Sequence, residues 1–308
     1  MSETSQPSGL PPKGNRLRDY AELTKARITG LIVVTAGSGY FFAAHKSGQS
    51  ALTVGLLHAL LGVGLVSSGT AALNEVLESN VDARMRRTAQ RPIPAGRMTR
   101  VHAAAVGLLL TLGGSFYLAV FANSLTGLLA LLTALVYLAV YTPLKRVSPV
   151  CTSVGAVPGA MPVVLGWTAP RGRIEAETLV LFGIMFLWQF PHFLSIAWLY
   201  QEDYARGDIR MLPVVDTDGK STVGRILAYS GALVPVSLLP FAVGMAGRVY
   251  LIGAIMMGLA LFRVSAGMAY TQLPVPAVAS KALARRLLRA TILYLPLLLA
   301  LMIANSIP

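Results

Sequence analysis

Apolar residues in this chain come in long blocks. About nine runs, each of roughly 17–22 residues, approach the length that crosses a bilayer. They lie near 28–45, 52–74, 102–121, 124–142, 150–168, 178–197, 223–244, 247–267 and 286–305. Gly155, Pro158, Gly159 and Pro162 interrupt the fifth run; transmembrane helices tolerate such breakers where neighbouring helices satisfy the freed backbone groups. The pattern predicts an all-α integral membrane protein with about nine transmembrane helices. Two polar insertions, 75–101 and 198–222, break it most strongly. Both follow an even-numbered span, so both face one side, and four helices separate them. That layout predicts two parallel, pseudo-repeated four-helix units, each with an acidic element after its second helix.

Composition agrees. Of 308 residues 55% are hydrophobic and 13% charged, with a mean hydropathy of +0.63. The net charge of +13 would suggest nucleic acid in a soluble protein, but its placement points to topology instead. Apart from Lys46, Arg171, Arg173, Arg248 and Arg263, the 26 Lys and Arg residues precede the first span or cluster on the same side. By the positive-inside rule the N-terminus is cytoplasmic and, with nine spans, the C-terminus lies outside. Residues 1–27 read as a polar, basic cytoplasmic arm, with no short apolar segment and cleavage site of a secretory signal. The arm is expected to be flexible to about residue 15 and helical at the membrane surface over 19–27. Residues 28–305 read as a single intramembrane domain. Cys151 stands alone, which excludes an intramolecular disulfide and a thiolate cluster.

The candidate chemistry sits in the two insertions, which hold eight of the 13 carboxylates: Glu75, Glu78, Asp82, Glu202, Asp203, Asp208, Asp216 and Asp218. Asn74, Glu78 and Asp82 are spaced i, i+4, i+8. On a helix each step of four turns about 40°, so the three share one face. Oxygen donors at a membrane boundary suit a hard cation such as Mg²⁺; Asn74 ligates it or hydrogen-bonds the ligand beside metal-bound carboxylates. The following Arg87 and Arg91 suit a phosphate, whereas Arg97 and Arg100 read as lipid-facing topology charges. In the second insertion Asp203 and Asp208 are five apart, which fits one face only if the helix breaks at Gly207. Asp216 and Asp218 read as solvated turn residues. Lys145 or Arg146, leaving span four on the same side, are further phosphate candidates. Gln189 and His192 in the sixth apolar run need partners.

The face Asn74-x-x-x-Glu78-x-x-x-Asp82 resembles the first aspartate-rich motif of the UbiA superfamily of intramembrane prenyltransferases, and the Asp203–Asp208 loop resembles its second. Leu23-Thr-Lys25-Ala-Arg27-Ile, Asn74 through Arg97, Tyr141 through Arg146, Trp188-Gln-Phe-Pro-His192-Phe and Glu202-Asp-Tyr204 carry the likeness over nearly the whole chain. The Trp188–Phe193 element is similar to the heme-modifying branch rather than the quinone-making one. The resemblance implies nine helices around a central cavity, capped by the catalytic loops on the cytoplasmic side of a bacterial inner membrane. It implies Mg²⁺-dependent transfer of a farnesyl group from farnesyl diphosphate to a vinyl group of heme B. It also implies partners downstream, heme A synthase or terminal oxidase assembly, and no nucleic acid. The roles carried over are catalysis by Asn74, Glu78, Asp82, Asp203 and Asp208, with Glu78, Asp82 and Asp208 as metal ligands. Lys25, Arg27, Arg87, Arg91, Lys145, Arg206 and Arg210 become candidates to hold the diphosphate, and His192 to meet the heme iron or a propionate. Glu75 and Glu78 depart from the family's preference for Asp, and Arg210 stands where another acid is expected, which leaves one metal ion or two open. Competing readings are a prenyltransferase acting on 4-hydroxybenzoate or a similar aromatic acid, a secondary transporter, and a heme-binding scaffold without chemistry.

Overall fold

A computed structural model describes residues 16–216, 218–271, 275 and 277–307; residues 1–15 of the arm lie outside them. Among the described residues the regular structure is helical, with one isolated bridge, Ala246 to Ser306. A short helix α1 (Arg16–Leu23) precedes α2 (Ala26–Lys46), α3 (Val54–Asp82), α4 (Arg100–Phe121) and α5 (Ser124–Leu144). Then come α6 (Cys151–Arg171), α7 (Ala176–Leu199), the two-turn α8 (Gln201–Arg206), α9 (Lys220–Val236), α10 (Arg248–Thr271) and α11 (Val278–Ala304). Eight of these, α9 counted together with the turn to Ala242, are long and apolar enough to cross a membrane. The chain is therefore a multi-pass membrane protein. The ninth expected span, α6, matches them in length but carries Pro158, Pro162 and Pro170, which dilute its hydropathy. Its expected interruption does not break it: α6 is one continuous helix, largely buried between the two halves of the molecule.

Packing gives two groups of helices, but the second starts at the sixth expected span rather than the fifth, so its acidic element follows its first helix. Helices α2 to α5 pack in succession, and α6 closes that group by touching both α5 and α2. Helices α7, α9, α10 and α11 pack in succession too, with α11 returning to α7. Small residues set the central approach of α2 to α6. A Cβ on Gly39 would stand 2.1 Å from the carbonyl oxygen of Val163, and one on Gly166 would stand 1.9 Å from that of Ala36. Lipid tails offer no hydrophobic drive between helices, so such close backbone approach supplies the van der Waals contact instead.

Two helices run further than their apolar blocks. Helix α3 extends to Asp82, so Asn74, Glu78 and Asp82 lie on one helix rather than in a loop. Helix α11 starts at Val278, which places Lys281, Arg285, Arg286 and Arg289 on its first turns. The ends of α3, α5 and α7 and the starts of α2 and α11 then share one face of the bundle. At the other end Glu175 binds Arg171, Arg173 and the Trp167 indole; the Arg171 hydrogen bond, above all, holds its carboxyl down at about 2.

Arg97 corrects the expectation of a lipid-facing charge. Its guanidinium donates to Asp19 at 2.7 Å and to Glu22 at 2.7 Å, clamping α1 onto the loop after α3. Leu23 packs beneath it against Ala72, Ile93 and Ala103. Arg97→Ala strands the buried Asp19, and charged hydrogen bonds of this kind contribute about 1.5–3 kcal/mol. Helix α1 should open more often, so that limited proteolysis within 16–27 speeds by roughly tenfold. An unchanged cleavage rate there would remove the clamp from the account.

Candidate active site

The three-residue face on α3 points into a polar cavity of about 90 Å³ at the shared end. Asn74 is its hub. Its Oδ1 accepts from the Lys25 ammonium at 2.8 Å, while its Nδ2 donates to Glu78 Oε2 at 3.0 Å and to Thr142 Oγ1 at 3.2 Å. Both amide protons and the amide oxygen are engaged, which explains how an Asn 1% exposed is tolerated there. Glu78 also receives the Lys145 ammonium at 2.8 Å, and Asp82 receives Arg91 at 2.6 Å. Glu75, on the adjacent face, accepts from the backbone N–H of Ile93 at 3.1 Å and anchors the returning loop.

Lys25 reaches the cavity because it joins α1 to α2 in a left-handed conformation, φ 47°. Burial first, then the neighbouring charges of Arg91 and Lys145, brings its ammonium down to about 7. With Arg87, the cavity wall holds four cationic side chains against the carboxylates of Glu78 and Asp82. That excess is a seat for a polyanion.

The second insertion meets the first, but not as a mirror image of it. Asp203, 7% exposed, accepts the backbone N–H groups of Arg86 and Arg87, each at 3.1 Å, and pairs with Arg206. Burial works against its charge, yet the Arg206 guanidinium and the two N–H groups hold its carboxyl below the ordinary Asp range. The N–H of Arg210 donates to the carbonyl of Lys145 at 2.8 Å, tying this loop to the end of α5 as well. The helix does break where expected: α8 ends at Arg206, Gly207 caps it, and Asp208 turns left-handed at φ 55°. That turn sends Asp208 outward. It is exposed, lies 3.9 Å from Arg146 and is not part of the cavity wall. Glu78 and Asp82 are thus brought together without Asp208, and no group of three His, Cys, Asp or Glu able to hold a metal occurs among the described residues. Arg27, Arg206 and Arg210 are exposed and do not line the cavity either; Arg206 acts on Asp203 instead. Arg87 does line it, lying over the rings of Tyr200 and Tyr204 at 5.3 and 5.6 Å. Asp216 is not merely solvated, since it accepts from the N–H and hydroxyl of Thr222 at the start of α9.

Two of the cavity residues that sequence does not single out are aromatic. Tyr137 and Tyr141 face it from a π-helical turn, Val136–Tyr141, that interrupts α5, and Lys145 Nζ stands 4.5 Å from the Tyr141 ring centre. A π turn re-aims side chains by inserting a residue into the α ladder. The available signal was their i, i+4 spacing in an otherwise apolar run. His192 lies on α7, half-buried, outside this cavity wall.

A bundle whose polar, doubly acidic and more strongly basic cavity opens at one end of membrane-crossing helices is the arrangement of an intramembrane prenyltransferase. Residues 31–277 match the UbiA prenyltransferase family, and the chain belongs to that family. The chain is 53% identical over 307 residues to the protoheme IX farnesyltransferase of Koribacter versatilis (strain Ellin345), covering 99% of each chain. It is 46% identical over 295 residues to the protein of that name from Solibacter usitatus (strain Ellin6076), covering 94% of this chain and 99% of the relative. Digeranylgeranylglyceryl phosphate synthase shares the fold with a TM-score of 0.75 at 18% identity, over 95% of this chain and 99% of that one. So does a UbiA homologue from Archaeoglobus fulgidus bound to GPP and Mg²⁺, with a TM-score of 0.64 at 13% identity, over 92% and 99%. At those identities the likeness is one of fold.

Proposed function

We propose that this chain transfers a farnesyl group from farnesyl diphosphate to a vinyl group of heme B, giving heme O and diphosphate. The observation that carries the reading is the cavity at the end of α3, where Lys25, Arg87, Arg91 and Lys145 surround Glu78 and Asp82. The names of the relatives at 53% and 46% identity supply the acceptor. The basic face supports a cavity at the cytoplasmic surface of a bacterial inner membrane, with the N-terminus on that side. Residues 16–27 then form the docked part of an N-terminal arm, and 28–305 one intramembrane domain.

The donor set fits Mg²⁺. Glu78 and Asp82 offer hard carboxylate oxygens one helical turn apart, and this ion is commonly held by one or two carboxylates plus substrate phosphates. Glu78 and Asp82 would hold it, with Asn74 orienting Glu78. Bound there, the ion supplies Lewis-acid neutralisation of the diphosphate. Lys145 and Arg91, now paired with those carboxylates, together with Lys25 and Arg87 take up the remaining phosphate charge. An arriving diphosphate adds negative charge beside the Lys25 ammonium, opposing the burial and the cationic neighbours that hold it down. Breaking the C1–O bond leaves the electron pair on diphosphate, which is where these donors act. The vinyl carbon forms the new C–C bond to C1. Water adds at the adjacent carbon and loses a proton, giving the hydroxyfarnesyl substituent. The apolar helices must keep other water from the allylic cation. The heme O released is then passed to heme A synthase or to terminal oxidase assembly.

Expressed in cells lacking their own enzyme, the chain should yield a more hydrophobic heme of the mass of heme O. Its absence, with prenylated aromatic acid formed instead, would sink the choice of acceptor. His192 is read as the heme contact. His192→Ala should raise the KM for heme B about tenfold or more and leave the KM for farnesyl diphosphate unchanged, because the two sites draw on different helices. Unchanged heme affinity would remove His192 from that role.

A further inference from the structure

One residue of α11 holds both polar rings of the Trp188–Phe193 element. The Trp188 indole N–H donates to the backbone carbonyl of Thr291 at 2.8 Å, and His192 Nδ1 lies 3.0 Å from the Thr291 hydroxyl oxygen. The two rings are one helical turn apart and stack, with centroids 4.8 Å apart and planes 20° from parallel. Thr291 is fully buried. Its hydroxyl also sits 2.7 Å from the carbonyl oxygen of Leu288, three residues back on α11. A carbonyl only accepts, so the single hydroxyl proton is committed to Leu288. The imidazole must therefore be the donor of the remaining bond, with its proton on Nδ1. Nε2 is then left with its lone pair, the form a histidine needs to bind a metal.

We infer that Thr291 is a positioning residue, setting the tautomer and plane of His192 so that Nε2 is available to the iron of the porphyrin substrate. This rests on the reading of His192 as the heme contact. A Thr inside a helix readily bonds its own i−3 carbonyl, and here that habit turns a hydroxyl able to donate or accept into one that accepts only. Histidines that bind metals generally have their other ring nitrogen fixed in this way, and loss of the partner costs about 10–100-fold in affinity. The stacked Trp188 restrains the same ring from its flat side, and the hydroxyl fixes which ring nitrogen turns toward α11.

The test uses the full chain purified in detergent and titrated with heme B, read by affinity and by the optical and paramagnetic spectra of the bound iron. Thr291→Val, of nearly the same shape, should weaken heme binding by roughly 10–100-fold and alter the iron's ligand-field signature. Thr291→Ser should stay within a few-fold of the parent in both. The KM for farnesyl diphosphate should not move in either variant. If Thr291→Val does not yield folded protein, Thr291→Ala against Thr291→Ser gives the same comparison. Equal losses in Val and Ser variants would mean that packing rather than the hydroxyl matters, and would overturn the inference. If His192→Ala loses heme binding but Thr291→Val does not, the inference falls while the heme contact stands. If His192→Ala itself binds heme with parental affinity and spectrum, the heme contact fails and the inference with it.

Discussion

Asp82→Asn is expected to abolish detectable heme O formation, a loss of at least roughly 10²–10³ in the rate of prenyl transfer. Asp82 is 1% exposed and ends the one-face series that begins at Asn74. Asn keeps the shape and can still accept from Arg91, which now lies 2.6 Å away, so the chain should insert and fold. A charge-stranding substitution in a buried pair typically costs about 3–5 kcal/mol; Arg91, with 24% of its side chain exposed, retains access to water and suffers less. The useful signature is a split. Removing one of the two cavity carboxylates leaves the four cations less compensated, so inorganic pyrophosphate, titrated directly without Mg²⁺, should bind at least as tightly as to the parent. Binding of the leaving group is then preserved while its departure is not assisted. Normal heme O in the variant would remove Asp82 from the chemistry altogether, and weaker Mg²⁺-free pyrophosphate binding would contradict the electrostatic reading of the cavity.

That expectation could be framed before any coordinates, because helical periodicity alone puts Asn74, Glu78 and Asp82 on one face and the block of apolar residues before them sets their depth. Membrane helices are legible for the same reason: nothing but length and hydropathy decides them. What pattern does not show is partner choice. Arg97 and Arg91 are both arginines in one polar stretch, yet one clamps α1 through Asp19 and Glu22 and the other faces Asp82. Only the path of the loop decides between them. The prolines of α6 read as interruptions because local propensity disfavours them, but burial between two groups of helices overrides propensity there. Tyr137 and Tyr141 were hidden by a π turn, a local irregularity that hydrophobic periodicity does not encode. Asp203 and Asp208 were grouped because they are close in sequence, and a left-handed residue separates what five positions had joined.

The pair Asp203→Ala and Asp208→Asn tests that separation, and the two should differ by about two orders of magnitude in activity. Asp203 acts on backbone. It takes two N–H groups of the loop that carries Arg87, and its loss leaves both without an acceptor near the cavity. A buried unsatisfied group costs about 1–3 kcal/mol, so Arg87 loses its fixed position over Tyr204 and affinity for the diphosphate falls with it. The KM for farnesyl diphosphate should rise roughly tenfold and kcat fall by about as much. Because its carboxyl is held below the ordinary Asp value of 3.8, the stabilisation it gives is complete above that pH and lost as pH drops through the folded value. Parental loops should therefore loosen only in acid, and the Asp203→Ala protein should lack that acid-dependent step. Asp208 touches none of this. Asn tolerates its left-handed backbone, removes the charge alone, and disturbs only the 3.9 Å approach to Arg146 at the surface, a contact of small worth. Asp208→Asn should therefore keep activity within a few-fold of the parent. A loss as large as that of Asp82→Asn would instead mean that the loop swings inward when diphosphate binds and that Asp208 completes the metal set with Glu78 and Asp82.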